Sequence, residues 1–384
     1  MDMFTKYSHA AQVANDFCDE FFTEKHVRQW VVSRGIPKYV HAAYFESELG
    51  EYCKPASLGG KKCPFGERIA TIATLTRRAG ATLPFLSDML SMGLLSTMSK
   101  QSQDEIEEEL MARAGRITFS QAFTEDGAGT EASAVRTTVT MDGGMFLDGC
   151  KTFVSGGQFA SGVLVLARDP LFGREDGGLS LWLIPTSTLG ISSYPINTLG
   201  QEMLSSARMV FDHVPLSPDW QIQSHGELSR MMKRQYEIGR VVICASSYGL
   251  ALAAMDDALE RCGTYMTKGQ LLGALPQIQE KLADMEVKLR SMDALILDVC
   301  EEIDKGPEHD RLPCALMKRF VPTAATEIAS EALQIFGGIG YTDNTRVGRI
   351  WCDCRGNQIA QGTDEIMVRQ AAKLLLNRRA RADA

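Results

Sequence analysis

The chain lacks an excess of positive charge. Its 40 Lys and Arg stand against 48 Asp and Glu, for a net charge of −8. That balance argues against nucleic acid or an anionic membrane as the main partner. Long apolar runs are also missing: no stretch approaches the roughly 20 residues of a helical membrane span. The opening residues, MDMFTKYSHAAQVANDF, carry neither a basic start nor an apolar segment, so no secretory signal is read there. Cysteines are not paired. The ten in the chain are scattered singly, with Cys352 and Cys354 the one close pair. A lone C-x-C without a second pair is a poor metal signal, so free thiols are the reading, as in a reducing cytoplasm. Internal repeats and low-complexity tracts are lacking as well.

What is present suffices for a large core. The 384 residues are 45% hydrophobic and suggest two or three structural units. The first 116 read as helical. Phe17, Phe21 and Phe22 alternate with acids as on an amphipathic face, and Pro84 marks a helix start or kink. Met89, Met92 and Met98 read as core filler. The acidic segment SKQSQDEIEEELMARAGR reads as a solvated helix face. At Ile117 the period changes. ITFSQAF, VRTTVTMDGGMFLDG, GVLVLARDP, LSLWLIP and RMVFDHV are β-type runs, with turn signals at Asp142-Gly143-Gly144 and Asp176-Gly177-Gly178. The helical period returns at Leu228. Ile278, Leu282, Met285, Leu289, Met292 and Ile296 mark one face of a long helix, and Pro322 predicts a kink in another. The chain therefore divides into a helical domain over 1–116, a β domain over 117–222 and a helical bundle over 223–384. The fold class is mainly α with a central β domain.

The stretch from Phe336 to Arg369, FGGIGYTDNTRVGRIWCDCRGNQIAQGTDEIMVR, organises the rest. It opens on a glycine-rich turn and ends on Gln361-Gly362-Thr363 before an apolar-periodic tail. Glycines let backbone approach a ligand closely, and a helix start offers bare N–H groups. The residues alone read as a ligand-facing turn before a terminal helix, or as plain helix punctuation.

QIFGGIGYT, then Arg346-x-x-Arg349-x-Trp351-x-Asp353-x-Arg355, then GTDEI resembles the C-terminal signature of the acyl-CoA dehydrogenase family. In wording it is similar to crotonobetainyl-CoA reductase-like bacterial members. The resemblance covers nearly the whole chain and implies that family's fold, with a barrel-like β domain and a C-terminal four-helix bundle. It implies FAD, an acyl thioester of CoA or a carrier as substrate, and redox chemistry across the α and β carbons. An electron-transfer flavoprotein becomes the expected redox partner, and a dimer of dimers the expected assembly. For the cofactor it implies Phe123, Thr124, Gly129 and Thr130, then Phe153, Val154 and Ser155, then Gln334, Gly337 and Gly338, then Thr363 and Glu365. For the substrate it implies Glu237, Gly239 and Arg240.

The departures from the family pattern matter as much. Relatives carry a base glutamate directly before Gly-Thr, where this chain has Gln361. Some carry it one position before the arginine, where this chain has Gly239. Neither residue accepts a proton near neutral pH, and a positioned base is worth about 10²–10⁴-fold in rate. Glu237 and Glu365 are the carboxylates nearest in sequence, with Glu237 the second catalytic candidate. Asp126 replaces a usual proline. Tyr265 and Lys268 stand where relatives have the Arg and Phe of R-x-x-F-G, which predicts weaker FAD binding. The alternatives are a degenerate subunit completing the FAD site of an active paralogue, and a flavoenzyme running a non-dehydrogenating reaction on a thioester.

Overall fold

The computed structural model describes residues 1–95, 104, 118–129, 131, 134–170, 178–222, 226–306 and 309–382. Met98, Ile117, Thr130, Asp176, Gly177 and the acidic segment 99–116, Asp104 apart, lie outside the described residues. Helices α1 (Met3–Lys6), α2 (Ser8–Phe21), α3 (Glu24–Val32), α4 (Lys38–Glu46), α5 (Glu48–Cys53), α6 (Phe65–Ala79) and α7 (Phe85–Leu95) form the first unit. The expected aromatic face is real: Phe17 and Phe22 are buried, and Phe17 packs against Phe21, Phe22 and Tyr44.

The β domain is an eight-stranded sheet. Its strands are β1 (Phe119–Ala122), β2 (Thr138–Met141), β3 (Met145–Val154), β4 (Gly162–Arg168), β5 (Leu179–Pro185), β6 (Ile191–Pro195), β7 (Ala207–Pro215) and β8 (Gln221–Ile222). The order is β6-β7-β3-β2-β4-β5-β8, with β1 parallel to β4. Strands β4 and β5 are apolar apart from Ser180 and the exposed terminal Arg168, because both faces are covered. Val163, Val165, Trp182 and Ile184 enter one core, while Leu164, Leu166, Leu181 and Leu183 join the large core of the helices. Among the described strands of this sheet, the sequence reading found all except β6 and β8. β6 is a polar edge strand ending in proline, and β8 is two residues long, so neither carries a period to read.

The second helical unit holds α8 (Leu228–Thr264), α9 (Pro276–Asp304), α10 (Leu312–Phe336), α11 (Val347–Ile359) and α12 (Asp364–Ala382). The predicted face of α9 is buried at Ile278, Met285, Leu289, Met292 and Ile296. Pro322 lies within α10, which is assigned as one helix across it. One correction concerns length: α8 is long and apolar enough to cross a membrane, against the reading that no run approaches this. It passes because 83% of its apolar window is buried in the protein's own core.

Helix α11 ties the units together. The Asp353 carboxylate, fully buried, accepts the N–H of Thr82 at 2.7 Å from the first helical unit and that of Gln201 at 2.6 Å from the β domain. Gly200 lets the loop before β7 approach α11, since a Cβ there would meet the Cys352 Cβ at 2.7 Å. Arg346 and Arg349 donate to the carbonyls of Arg78, Ala79 and Gly80, which α6 leaves without helical partners. Arg346 also pairs with Asp257 of α8.

Burial pushes the Asp353 carboxyl up to about 6 from 3.8. The folded protein therefore holds that proton more tightly than the unfolded chain does. The penalty on the ionised form is complete above pH 6, shrinks as pH falls through that value, and is gone below 3.8. Asp353→Ala leaves two donors without their partner, and thermal unfolding should show a loss of roughly 1–3 kcal/mol for each donor left buried. Asp353→Asn removes the titration, so wild-type stability should gain relative to Asn as pH falls from about 7 to 5.

Candidate functional site

Helix α11 ends at Ile359, and Gln361 then takes a left-handed backbone, φ 57°, followed by Gly362 at φ 104°. This reversal turns the chain into α12 with Thr363 just before its first residue. Positive φ costs a non-glycine residue energy, so surrounding contacts must hold it. They come from two cations. Arg240 Nε donates to the Gln361 carbonyl at 3.3 Å. Lys318 Nζ donates to the carbonyls of Asn357, Gln358 and Gly362 at 3.1, 3.4 and 3.2 Å.

The same reversal lays the Gln361 amide against α8. A Cβ built on Gly239 would come within 2.8 Å of the Gln361 Cδ and Oε1. Gly239 is thus the residue that leaves room for the Gln361 side chain, and the two candidate base positions face each other. Glu237 lies two residues away on the same helix, and residues so spaced do not share a face. Its carboxylate is buried on Arg311, with His309 Nε2 at 3.5 Å. Arg234 lies 3.2 Å from the other ring nitrogen of His309. Glu365 is exposed, and the Thr363 hydroxyl lowers its carboxyl below the usual range.

In the β domain the two motif segments are joined by a buried ion pair that the sequence reading did not identify. Lys151 Nζ lies 2.7 Å from Glu125 Oε1, and Glu125 also accepts the N–H groups of Arg136 and Thr137 at 2.7 and 3.0 Å. Burial raises the Glu125 carboxyl, but these donors outweigh it and hold it below the usual range. Burial pulls the Lys151 ammonium below its usual range, and the facing Glu125 carboxylate offsets this only in part. The pair pins Phe123 and Thr124 beside β3, where Thr152 N donates to the Thr124 carbonyl at 2.9 Å.

At the end of β3 the ladder shifts register between Lys151 and Val154. Phe153 sits in that bulge with φ 55° and its ring 62% exposed, while Val154 is buried and Ser155 half-buried. A bulky residue in this conformation with a bare ring marks a site built to offer it. Gly127 and Gly129 are exposed, and a Cβ on Gly127 would touch nothing within 4 Å.

The third cluster lies where α10 ends. Gln334, Gly337 and Gly338 are exposed, and a Cβ on either glycine would meet nothing within 4 Å. Tyr265 follows α8, and Lys268-Gly269 forms the tip of a two-residue hairpin with φ 47° and 78°. That tip explains the lysine and glycine as turn residues. Sequence reasoning missed Arg261. Its guanidinium lies over the Tyr265 ring at 3.6 Å and the Phe336 ring at 5.6 Å, and its Nε has no hydrogen-bond partner. The available signal was the i, i+4 spacing of Arg261 and Tyr265.

Comparison with known proteins supplies the context. Residues 120–214 match the family model described as acyl-CoA dehydrogenase, middle domain, and residues 228–376 match acyl-CoA dehydrogenase, C-terminal domain. The chain is 28% identical over 356 residues to the probable acyl-CoA dehydrogenase YdiO of Escherichia coli (strain K12), covering 92% of each. It is 34% identical to an acyl-CoA dehydrogenase from Slackia heliotrinireducens of known structure, with a TM-score of 0.84 and 97% of both chains covered. Butyryl-CoA dehydrogenase from Megasphaera elsdenii, 22% identical and 98% covered on both sides, shares the fold at a TM-score of 0.82. Members of this group are FAD-binding flavoproteins. With matching domain models over most of its length and a relative above 30% identity along nearly all of it, the chain belongs to the acyl-CoA dehydrogenase family.

Proposed function

We propose that this chain is an FAD-dependent dehydrogenase or reductase acting across the α and β carbons of an acyl-CoA or acyl-carrier thioester, with Gln361 at the usual base position. The observation that carries this reading is the Gln361 amide lying against Gly239. Two base positions of one family meet there, on the two elements that the family uses. The GYTD and GTDEIM wording supports a place near crotonobetainyl-CoA reductase-like members.

The residues present fit the cofactor. Gly127 and Gly129 leave an open, exposed turn, Phe153 offers a bare ring, and Gly337 and Gly338 leave backbone accessible. In this reading Phe123, Thr124, Gly129, Thr130, Phe153, Val154 and Ser155 hold one side, with Gln334, Gly337, Gly338, Thr363 and Glu365 completing it. FAD, when bound, supplies the hydride acceptor or donor for the β carbon. Arg240 lines the thioester end of the site together with Gly239. Gln361 can donate and accept hydrogen bonds there but cannot take up a proton near neutral pH. Glu237 is the second candidate for that task, and Arg311 already occupies one of its oxygens.

The same observation favours a second reading, in which the chain is a subunit without its own proton abstraction that pairs with an active paralogue. A flavin spectrum in the purified chain alone supports the enzyme; a colourless chain that gains flavin only with a partner supports the subunit. A non-dehydrogenating reaction on a thioester is the third reading, favoured by flavin that binds thioester without bleaching.

The decisive variant is Gln361→Glu. Amide and carboxylate are nearly isosteric, and Gly239 leaves the room. Burial raises a carboxyl towards the range of a working base. Anaerobic addition of acyl-CoAs of several chain lengths should bleach the flavin on the order of 10²-fold faster than in wild type. A wild type that already bleaches fast and gains nothing puts the base elsewhere, with Glu237 first in line. Arg261→Ala should weaken FAD binding by roughly ten- to a hundredfold by titration of apoprotein, the size of one charge-assisted contact. Exposed Leu259, Met266, Leu271 and Tyr341 support a dimer of dimers, for which light scattering should give four chains per particle. An electron-transfer flavoprotein is the proposed redox partner.

A further inference from the structure

Lys318 is buried to zero exposure in α10, and among the described residues no carboxylate lies within ion-pair distance of it. A buried ammonium without a counter-ion is expensive and survives only where its protons are satisfied. Here each of the three has its own acceptor. Two are the carbonyls of Asn357 and Gln358, in the last turn of α11, where four carbonyls lack helical partners and the helix dipole is negative. The third is the carbonyl of Gly362, beyond the reversal. One side chain therefore spans Gln361 from both sides, while Arg240 holds the carbonyl of Gln361 itself.

We propose that Lys318, as the ammonium ion, is the positioning residue for Gln361: it clamps the end of α11 to the Gly362 carbonyl and so holds the left-handed step that aims the Gln361 amide at Gly239. The claim rests on the reading that Gln361 faces the thioester. A neutral amine has two donors for three carbonyls, so the clamp needs the charge. Burial pulls the Lys318 ammonium below its usual range and Arg240 acts the same way, while Cys244, Asp364 and Cys314 oppose them; the three carbonyls are what hold the charged form in place.

The test uses the full-length flavin-loaded protein with Lys318→Met, which keeps length and removes every donor. Lys318→Gln keeps part of the donor set and guards against a Met variant that does not fold. Met317→Ala is the control, a fully buried change one residue away that lowers global stability without touching the turn. Two quantities are read: backbone amide exchange over residues 360–366, and affinity for an acyl-CoA. Exchange there should rise about tenfold or more in Lys318→Met over Met317→Ala at matched stability, with Lys318→Gln between. Acyl-CoA affinity should fall by a similar factor, as in Gln361→Ala, with flavin content unchanged. Exchange no greater than in the control overturns the clamp. A loosened turn with acyl-CoA affinity kept, while Gln361→Ala loses it, overturns positioning. If Gln361→Ala also keeps full affinity, the placement of the thioester at Gln361 has failed and the functional role of Lys318 fails with it; the exchange data then report only on the turn.

Discussion

The three units depend on one carboxylate. Asp353 extends from α11 and accepts one N–H from the segment after α6 and another from the loop before β7. Burying it is costly, as its raised proton affinity records. The cost is tolerated because no apolar side chain could satisfy both donors, and a buried donor without a partner is itself destabilising. Around it, Arg346 and Arg349 close the end of α6, and the Gln201 amide bonds the Asn357 side chain at 2.7 Å. Helix α11 is thus fixed on three sides before it reaches Ile359. The turn that follows inherits that rigidity.

This arrangement gives the Arg-x-x-Arg-x-Trp-x-Asp signature a physical meaning. Its charged residues serve assembly: the arginines cap another helix, and the aspartate joins domains. The proposed ligand-facing residues come only after α11 ends. Likewise, Glu125 and Lys151 belong to two motif segments but bond each other, presenting Phe153 and the Gly127-Gly129 turn as one surface. Conspicuous charged residues in the motifs mostly hold the backbone, and the small or aromatic neighbours they position are left exposed.

That division explains what could be read in advance. Helix α9 was legible because Ile278 to Ile296 repeat with its own period, and β4 and β5 because covered strands are apolar at nearly every position. The segments proposed to face the flavin were singled out through family wording. Asp353, Lys318 and Arg261 were not. Asp353 bonds a residue 271 positions away and Lys318 one 44 positions away, and nothing local announces either. Arg261 escaped because the family pattern drew the eye to Tyr265, four residues on. The meeting of Gln361 and Gly239 required both a left-handed residue and a missing side chain, which only the folded chain brings together.

A neutral side chain at Gln361 also sets the charge balance of the turn. Arg240 and Lys318 both aim donors at its carbonyls, and neither has a carboxylate within ion-pair distance among the described residues. With glutamate there, one negative charge would offset two buried positive ones. With glutamine, Asp364 at the start of α12 offsets Lys318 only in part, and Glu237 is already committed to Arg311. At low dielectric such cations act strongly on whatever approaches. The turn therefore favours negative charge beside Gln361. On the function proposed above, Gln361 lacks the group that would take a proton, while the two cations keep a field that would stabilise its loss.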